Sequence, residues 1–572
     1  MFQPARQGLL SPPQPHKIPL YQNHRIPTHL PPGTGLMYRT YAVLLSTLIY
    51  LPLLAEGVMA IQPAEGHRPP NIVFFIADDM LPKHFNCLPQ GEGRNLTPNI
   101  DRLARQGTVM REQHVCSPIC TPSRYNVLTG NYASRAKNNP FTSRTRREGQ
   151  SIVEFNTHIV GGDTTLQALL QEAGYETGMV GKNHVVEVNG LESFPDFDAS
   201  ARRPENAAKL LRNHDRVCEA IRNTGFDSVD RVYHNNPDFL GLHDVAVQNL
   251  DWITEGGVEF IGQPRNKPFF LYFATTVPHG PTNEKRSWNA DPKIAAVGYL
   301  EKAPTAMPSR EQIAHRLTAA GLPVTPDTAN MLWLDDAVGA LLDKLEATGQ
   351  LDNTVFFFFS DHGQNAKGTL YQGGVHDPSI VWRKGGFPVG ATSDALVSIV
   401  DFAPTILDFA KVDASEFHFD GESFLPYLEG QPAPTDRVLY FELGFARGVR
   451  KGNWKYMAIR YPEHIENMTR DQRERLLNKW NAERRRRHLE IVTEDPSMPF
   501  SHLTAIPGGG HAEARSTGTL PGYFDRDQLY DLSVDPGEQH NLADDAAYNT
   551  QLEEMRRELR RILETLPGEF LL

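Results

Sequence analysis

Asn71-Ile-Val-Phe-Phe-Ile-Ala77 runs straight into Asp78-Asp79. A short, nearly continuous apolar run reads as a strand buried on both faces of a parallel sheet. Carboxylates at the C-terminal end of such a strand stand where α/β folds bind ligands. Two adjacent acids repel each other unless a cation lies between them, although Asp-Asp taken alone is at least as often a solvated turn.

Outward from this stretch the pattern repeats. Tyr175–Val180 predicts a strand, with Gly181-Lys182-Asn183-His184 at its end. Pro268–Ala274 predicts another, ending in Thr275-Thr-Val-Pro-His279-Gly-Pro281. Thr354–Ser360 is the most apolar and leads into Asp361-His362-Gly363, then Lys367-Gly-Thr-Leu-Tyr371-Gln-Gly-Gly374. Helices are predicted between them over Thr97–Ala104, Thr164–Ala173, Val245–Ile253 and Asp327–Ala347, with short strands at Ile380–Trp382 and Leu396–Val400 and a helix from Pro404. This alternation predicts an α/β fold, a large mainly parallel sheet sandwiched by helices. Residues 140–162 read as a polar surface excursion, 190–236 as irregular, and 282–325 as loop-rich. After Gly430, Val438–Glu442, Ala446–Val449, Trp454–Ile459 and Leu529–Leu532 are short strands, and a helix over Tyr548–Leu563 closes the chain. The expected organisation is a catalytic α/β domain at 61–430 and a smaller C-terminal α+β subdomain at 431–572 with a short antiparallel sheet.

The composition, 40% hydrophobic and 22% charged, is that of a globular chain, and a net charge of −12 argues against nucleic-acid binding. It does not argue against an anionic substrate, because one pocket can be basic on an acidic protein. Residues 1–36 are Pro-rich and read as disordered or untranslated. Arg39, the apolar run Tyr41–Ala55 and Val58-Met59-Ala60 form the charged, apolar and small-residue parts of a signal peptide at 37–60. The run is short for a membrane span, and the alternative is an N-terminal anchor. The expectation is export to the periplasm or the exterior, with no stable membrane insertion after cleavage. Four cysteines are not a disulfide framework.

The remaining motif is His114-Val-Cys-Ser-Pro-Ile-Cys120-Thr-Pro-Ser-Arg124, followed by Leu128-Thr-Gly130. The bland reading is a Pro-turn feeding a helix, capped by Ser123, with Arg124 on the surface. The functional reading is a modified nucleophile at a helix N-terminus with a cation beside it. In a doubly wound sheet, strand ends and helix starts share one edge. Asp78, Asp79, Cys120, Arg124, Lys182, His184, His279, Asp361, His362 and Lys367 would then converge. The acids offer hard oxygen ligands, the cations suit a tetrahedral oxyanion, and the histidines can move protons.

Together these motifs resemble the formylglycine-dependent sulfatases of the alkaline-phosphatase superfamily, over most of the chain from Asn71 to Leu542. Leu529-Tyr-Asp-Leu-Ser-Val-Asp-Pro-Gly-Glu538 resembles the family's C-terminal signature. The resemblance implies that a modifying enzyme converts Cys120 to formylglycine, whose hydrate attacks sulfur with one hydroxyl and expels the bound sulfate with the other. It implies one Ca²⁺ held by Asp78, Asp79, Asp361 and His362 with the modified Cys120. Arg124 and Lys182 would hold the diol and the sulfate, and His184 would take the proton in the elimination. His279 and Lys367 would bind sulfate and protonate the leaving oxygen. His362 and His376 depart from the family pattern, where asparagine and arginine are common, and His376 is a candidate for reporting substrate choice. The implied substrate is a sulfated small molecule or glycan. A phosphodiesterase or phosphonate monoester hydrolase would use the same site. Arg484-Arg-Arg-Arg487 reads as a solvated helix or as a basic patch for a polyanion.

Overall fold

A computed structural model describes residues 68–388, 390–486, 490–509, 513 and 519–572, with only the backbone of Arg486. The proposed extension and signal peptide lie outside these residues. The main sheet comprises β1 (Asn71–Asp78), β2 (Thr108–Met110), β3 (Glu176–Lys182), β4 (Ser228–Tyr233), β5 (Phe269–Pro278), β6 (Thr354–Ser360), β7 (Ser379–Arg383) and β8 (Ala391–Ser393). Their order is β8-β2-β7-β6-β1-β5-β3-β4. The central strands are parallel, and β7 runs antiparallel to both of its neighbours, so the sheet is mixed. β1 lies in the middle, every residue buried.

The two faces of β1 feed two cores. Ile72, Phe74 and Ile76 join one, and Val73, Phe75 and Ala77 the other, as a period of two requires. Phe74 meets Phe270, Phe357 and Phe359 edge-on at 5.0–5.5 Å between centroids. Each such ring contributes about 1.5–3 kcal/mol by burial. Helices α1 (Pro98–Gln106) and Pro326–Ala347 cover the second face. A four-stranded antiparallel sheet of Val438–Leu443, Ala446–Lys451, Trp454–Ile459 and Asp527–Asp531 packs into the first core. Among the described residues no helix is long and apolar enough to cross a membrane, and all four cysteines are free.

Several expectations are corrected. Residues 190–236 contain a helix, Pro204–Arg222, and strand β4. The helix buries Leu210, Val217 and Ile221 beneath a charged outer face, and that charge hid its periodicity. Residues 140–162 contain the helix Asn139–Glu148 and bury Ile152, Val153 and Ile159, so they are not a surface excursion. The helix expected from Val245 starts at Leu250, because the Asn249 side chain caps it by accepting from Trp252 N at 3.1 Å. Of Leu396–Val400 only Val397–Ser398 is extended. Of Arg484-Arg-Arg-Arg487, Arg484 is 3% exposed and donates to the Glu490 carbonyl and Arg485 pairs with Glu494, while Arg487 lies outside the described residues.

Candidate active site

Four neighbouring parallel strands, β6, β1, β5 and β3, end along one edge. Asp78 closes β1, Lys182 closes β3, His279 follows β5, and Asp361-His362 follow β6. Each apolar run stops where its polar residues begin, so the sequence itself places these groups on the edge.

Two backbone irregularities aim them. Gly181 has φ 91°, and the register with β4 shifts between Val180 and Gly181. A β-carbon at Gly181 would lie 1.8 Å from the Ala274 carbonyl oxygen, so only glycine fits this bulge. Asp79 is left-handed at φ 68°, strained for a side-chain-bearing residue. Its N–H donates to Asp361 Oδ1 at 3.2 Å.

Cys120 is the first residue of α2 (Cys120–Thr129) and is 2% exposed. Arg124, one turn along, is fully buried and donates to Asp361 Oδ2 at 3.0 Å and Asp78 Oδ1 at 3.3 Å. It is no surface arginine. Ser123 does not cap the helix; its hydroxyl donates to the Asp361 carbonyl.

The other candidates close around Cys120. Lys182 Nζ lies 2.9 and 2.7 Å from the Asp78 oxygens. Lys367 Nζ lies 2.7 and 2.9 Å from those of Asp79 and 3.7 Å from Cys120 Sγ. His362 Nε2 stands 3.1 Å from Asp79 Oδ1 and 3.5 Å from Cys120 Sγ. His279 Nε2 is 3.5 Å from Asp79 Oδ2. His184 lies close enough to Cys120 that each shifts the other's protonation. Every residue singled out for the site is thus in this cluster. His376 is turned elsewhere: its Nε2 meets the Arg111 carbonyl at 2.6 Å and its ring packs on His114.

Burial alone would raise the Cys120 thiol, but Lys182 and Lys367 prevail and hold it well below the usual thiol range. The N-terminus of α2 acts in the same sense. Burial likewise opposes ionisation of Asp79, yet Lys367, His279 and His362 keep its carboxyl well below its ordinary value. Burial pushes His184 down to about 4 against the pull of Cys120, so its imidazole is neutral.

The donor set fits a divalent cation. Asp79, Cys120 and His362 bring their ligand atoms within 4.8 Å of one another, as do Asp78, Cys120 and Asp361. His362 Nδ1 faces the Gly363 carbonyl at 3.1 Å, which assigns a proton there. Its Nε2 then points at a carboxylate and a sulfur, and a positive centre must lie between them: a second imidazole proton or a metal ion. Three carboxylates suit a hard cation, while the imidazole is the softer member.

A family model described as Sulfatase matches residues 70–412. The chain belongs to the sulfatase family. An ulvan-active sulfatase of Formosa agariphila is 26% identical over 491 residues, covering 86% of this chain and 79% of that one. An N-acetylglucosamine-6-O-sulfatase of Bacteroides thetaiotaomicron is 24% identical, covering 92% and 91%. The crystal structure of Ps i-CgsB in complex with k-i-k-neocarrahexaose has a TM-score of 0.54 at 20% identity, covering 86% of this chain and 93% of that one, and shows the shared fold.

In this sulfatase one group beside the site, Asn236, had no motif to mark it, and Glu538 was marked only as part of the C-terminal signature. Asn236 follows the unpredicted β4 and places its amide nitrogen 2.7 Å from His279 Nε2. Glu538, in the C-terminal signature, accepts from Gln372 N at 2.6 Å and from Lys455 Nζ at 2.6 Å. Gln372 closes the loop that carries Lys367, where Gly363 N and Ala366 N donate to the Gly374 and Gly373 carbonyls. The signature motif was legible, but its spatial partner was not.

Proposed function

We propose that this sulfatase hydrolyses the sulfate ester of a sulfated carbohydrate, with formylglycine at position 120 and one Ca²⁺ held by Asp78, Asp79, Asp361 and His362 with the modified Cys120. The observation that carries the reading is Cys120 at a helix N-terminus, buried against Lys367 and His362. The cation, when bound, supplies positive charge that stabilises the developing anion. Arg124 and Lys182 fix the carboxylates and present their remaining N–H groups to an oxyanion. His184 is neutral and accepts a proton from the side chain of residue 120. His279 and Lys367, both paired with Asp79, hold sulfate oxygens and return a proton to the leaving oxygen.

The carbohydrate reading rests on relatives whose names specify ulvan and N-acetylglucosamine. A formylglycine-generating enzyme is the implied partner. The chain is read as exported and as divided at residue 430, on the sequence features given above. Two measurements test the function. The mass of the peptide containing residue 120 should show formylglycine in protein made beside a modifying enzyme; unmodified cysteine in an active preparation overturns it. Rates on sulfate esters should exceed those on matched phosphate and phosphonate esters. The reverse order would assign the chain to phosphoryl chemistry.

A further inference from the structure

Phe155 is a large apolar residue left 44% exposed, and it stands beside the polar cluster at the strand ends. Its ring stacks on His184 at 5.8 Å between centroids and 15° between planes, and His184 stands two residues after Lys182, which closes β3 at the Cys120 cluster. The turn that carries it is tied down on both sides. Gly444 N donates to Val153 O at 2.7 Å before it, and Ile159 N to Val185 O and Glu187 N to Ile159 O, both at 3.0 Å, after it. Within the turn, Glu154 N donates to Asn156 Oδ1 at 2.9 Å. Asn138 donates to Asn156 O at 2.9 Å and accepts from His158 N at 3.1 Å. An exposed aromatic ring on so constrained a turn is a fixed surface, not a loose side chain.

We propose that Phe155 is a specificity-determining residue, whose ring receives the apolar C–H face of the sugar that bears the sulfate. One ring face rests on the proton-accepting histidine, so a sugar lying along the exposed part sits one side chain away from residue 120. A pyranose has the required chemistry: hydroxyls around its edge and a patch of C–H groups on one face, which aromatic rings bind well. The charged groups around Cys120 would grip the sulfate, and Phe155 would select what is attached to it. The inference rests on the reading of the substrate as a sulfated carbohydrate.

The experiment compares wild type with Phe155→Ala, Phe155→Tyr and Phe155→Trp, each carrying formylglycine. Substrates are 4-nitrophenyl sulfate and a panel of 6-O-sulfated and ulvan-derived saccharides; inorganic sulfate serves as product inhibitor. Phe155→Ala should raise KM for the preferred saccharide about tenfold, with kcat and the inhibition constant of sulfate little changed. Tyr and Trp should restore KM. An unchanged saccharide KM overturns the proposal and leaves the carbohydrate reading standing. A loss in kcat at constant KM also overturns it, since Phe155 would then only prop His184. Wild-type enzyme active on the aryl sulfate but on no saccharide removes the carbohydrate reading and the platform with it.

Discussion

Lys367 and Asp79 form an ion pair across 288 positions of sequence, with Nζ 2.7 Å from Oδ1 and 2.9 Å from Oδ2. The pair joins the end of β1 to the loop after β6, and it brings the ammonium to 3.7 Å from Cys120 Sγ. Lys367→Met removes the strongest charge holding Asp79 ionised. Turnover should fall by about 10²–10³, the loss typical of one oxyanion-stabilising donor. Steady-state kinetics on a sulfate ester measure it, and a variant within a few-fold of wild type would make the pair structural only.

Cys120→Ala should abolish turnover while the protein still binds Ca²⁺, because Asp78, Asp79 and Asp361 remain. Titration calorimetry with Ca²⁺ on the purified variant separates the two effects. Residual turnover above about a hundredth of wild type would contradict a nucleophile at this position.

Gly181→Ala should damage both stability and catalysis. Its β-carbon would lie 1.8 Å from the Ala274 carbonyl at φ 91°, so β3 must shift, at a cost of about 2 kcal/mol or more. Lys182 and His184 shift with it. Denaturant midpoints and kcat should both fall; a neutral result would mean the bulge is not needed to aim them.

Glu538→Ala leaves Lys455 buried without its carboxylate. Burial already lowers that ammonium to about 8 against the pull of Glu538. Breaking such a pair costs about 3–5 kcal/mol, whereas replacing both members with apolar residues costs far less. The double variant Lys455→Met, Glu538→Leu should therefore regain most of the stability in urea. Its kcat should stay low, because Gln372 N still lacks an acceptor and the Lys367 loop is released. Full recovery of kcat in the double variant would show that the loop needs no such tether.

Acid should destabilise the fold through His502. Burial pushes this imidazole down from 6.5 to about 4, opposed by its bond to the Tyr523 carbonyl. The folded value lies below the unfolded one, so the contribution is complete above pH 6.5 and is lost as pH falls towards 4. It amounts to at most about 3 kcal/mol. Urea unfolding at pH 7 and pH 4.5 should show a smaller difference in His502→Gln than in wild type; equal slopes would assign the acid sensitivity elsewhere.

Much of the fold was legible because β1, β5 and β6 are buried on both faces, and such strands write themselves as unbroken Phe, Ile and Val. Their polar ends then named the site: Asp78 and Asp361 stand where their runs stop, and His279 comes after Thr275-Thr-Val-Pro278 at the end of its own. What stayed hidden was carried by tertiary contact. The helix Pro204–Arg222 turns its charges outward over only a few apolar residues. Arg124 was legible as a site cation, but nothing local shows that two carboxylates 46 and 237 positions away will pair with it. Phe155 sits in a stretch whose buried members, Val153 and Ile159, pair with distant Gly444 and Val186.

The bond from Gln372 to Glu538 sets a timetable. A ribosome emits Cys120, both lysines and all three acids long before it reaches the residue that anchors their loop. Until the C-terminal signature has emerged and docked on Gln372, the loop that carries Lys367 is without this tether. Anchoring of the Lys367 loop is thereby linked to the emergence of Glu538, and a chain that stops before that residue lacks the anchor.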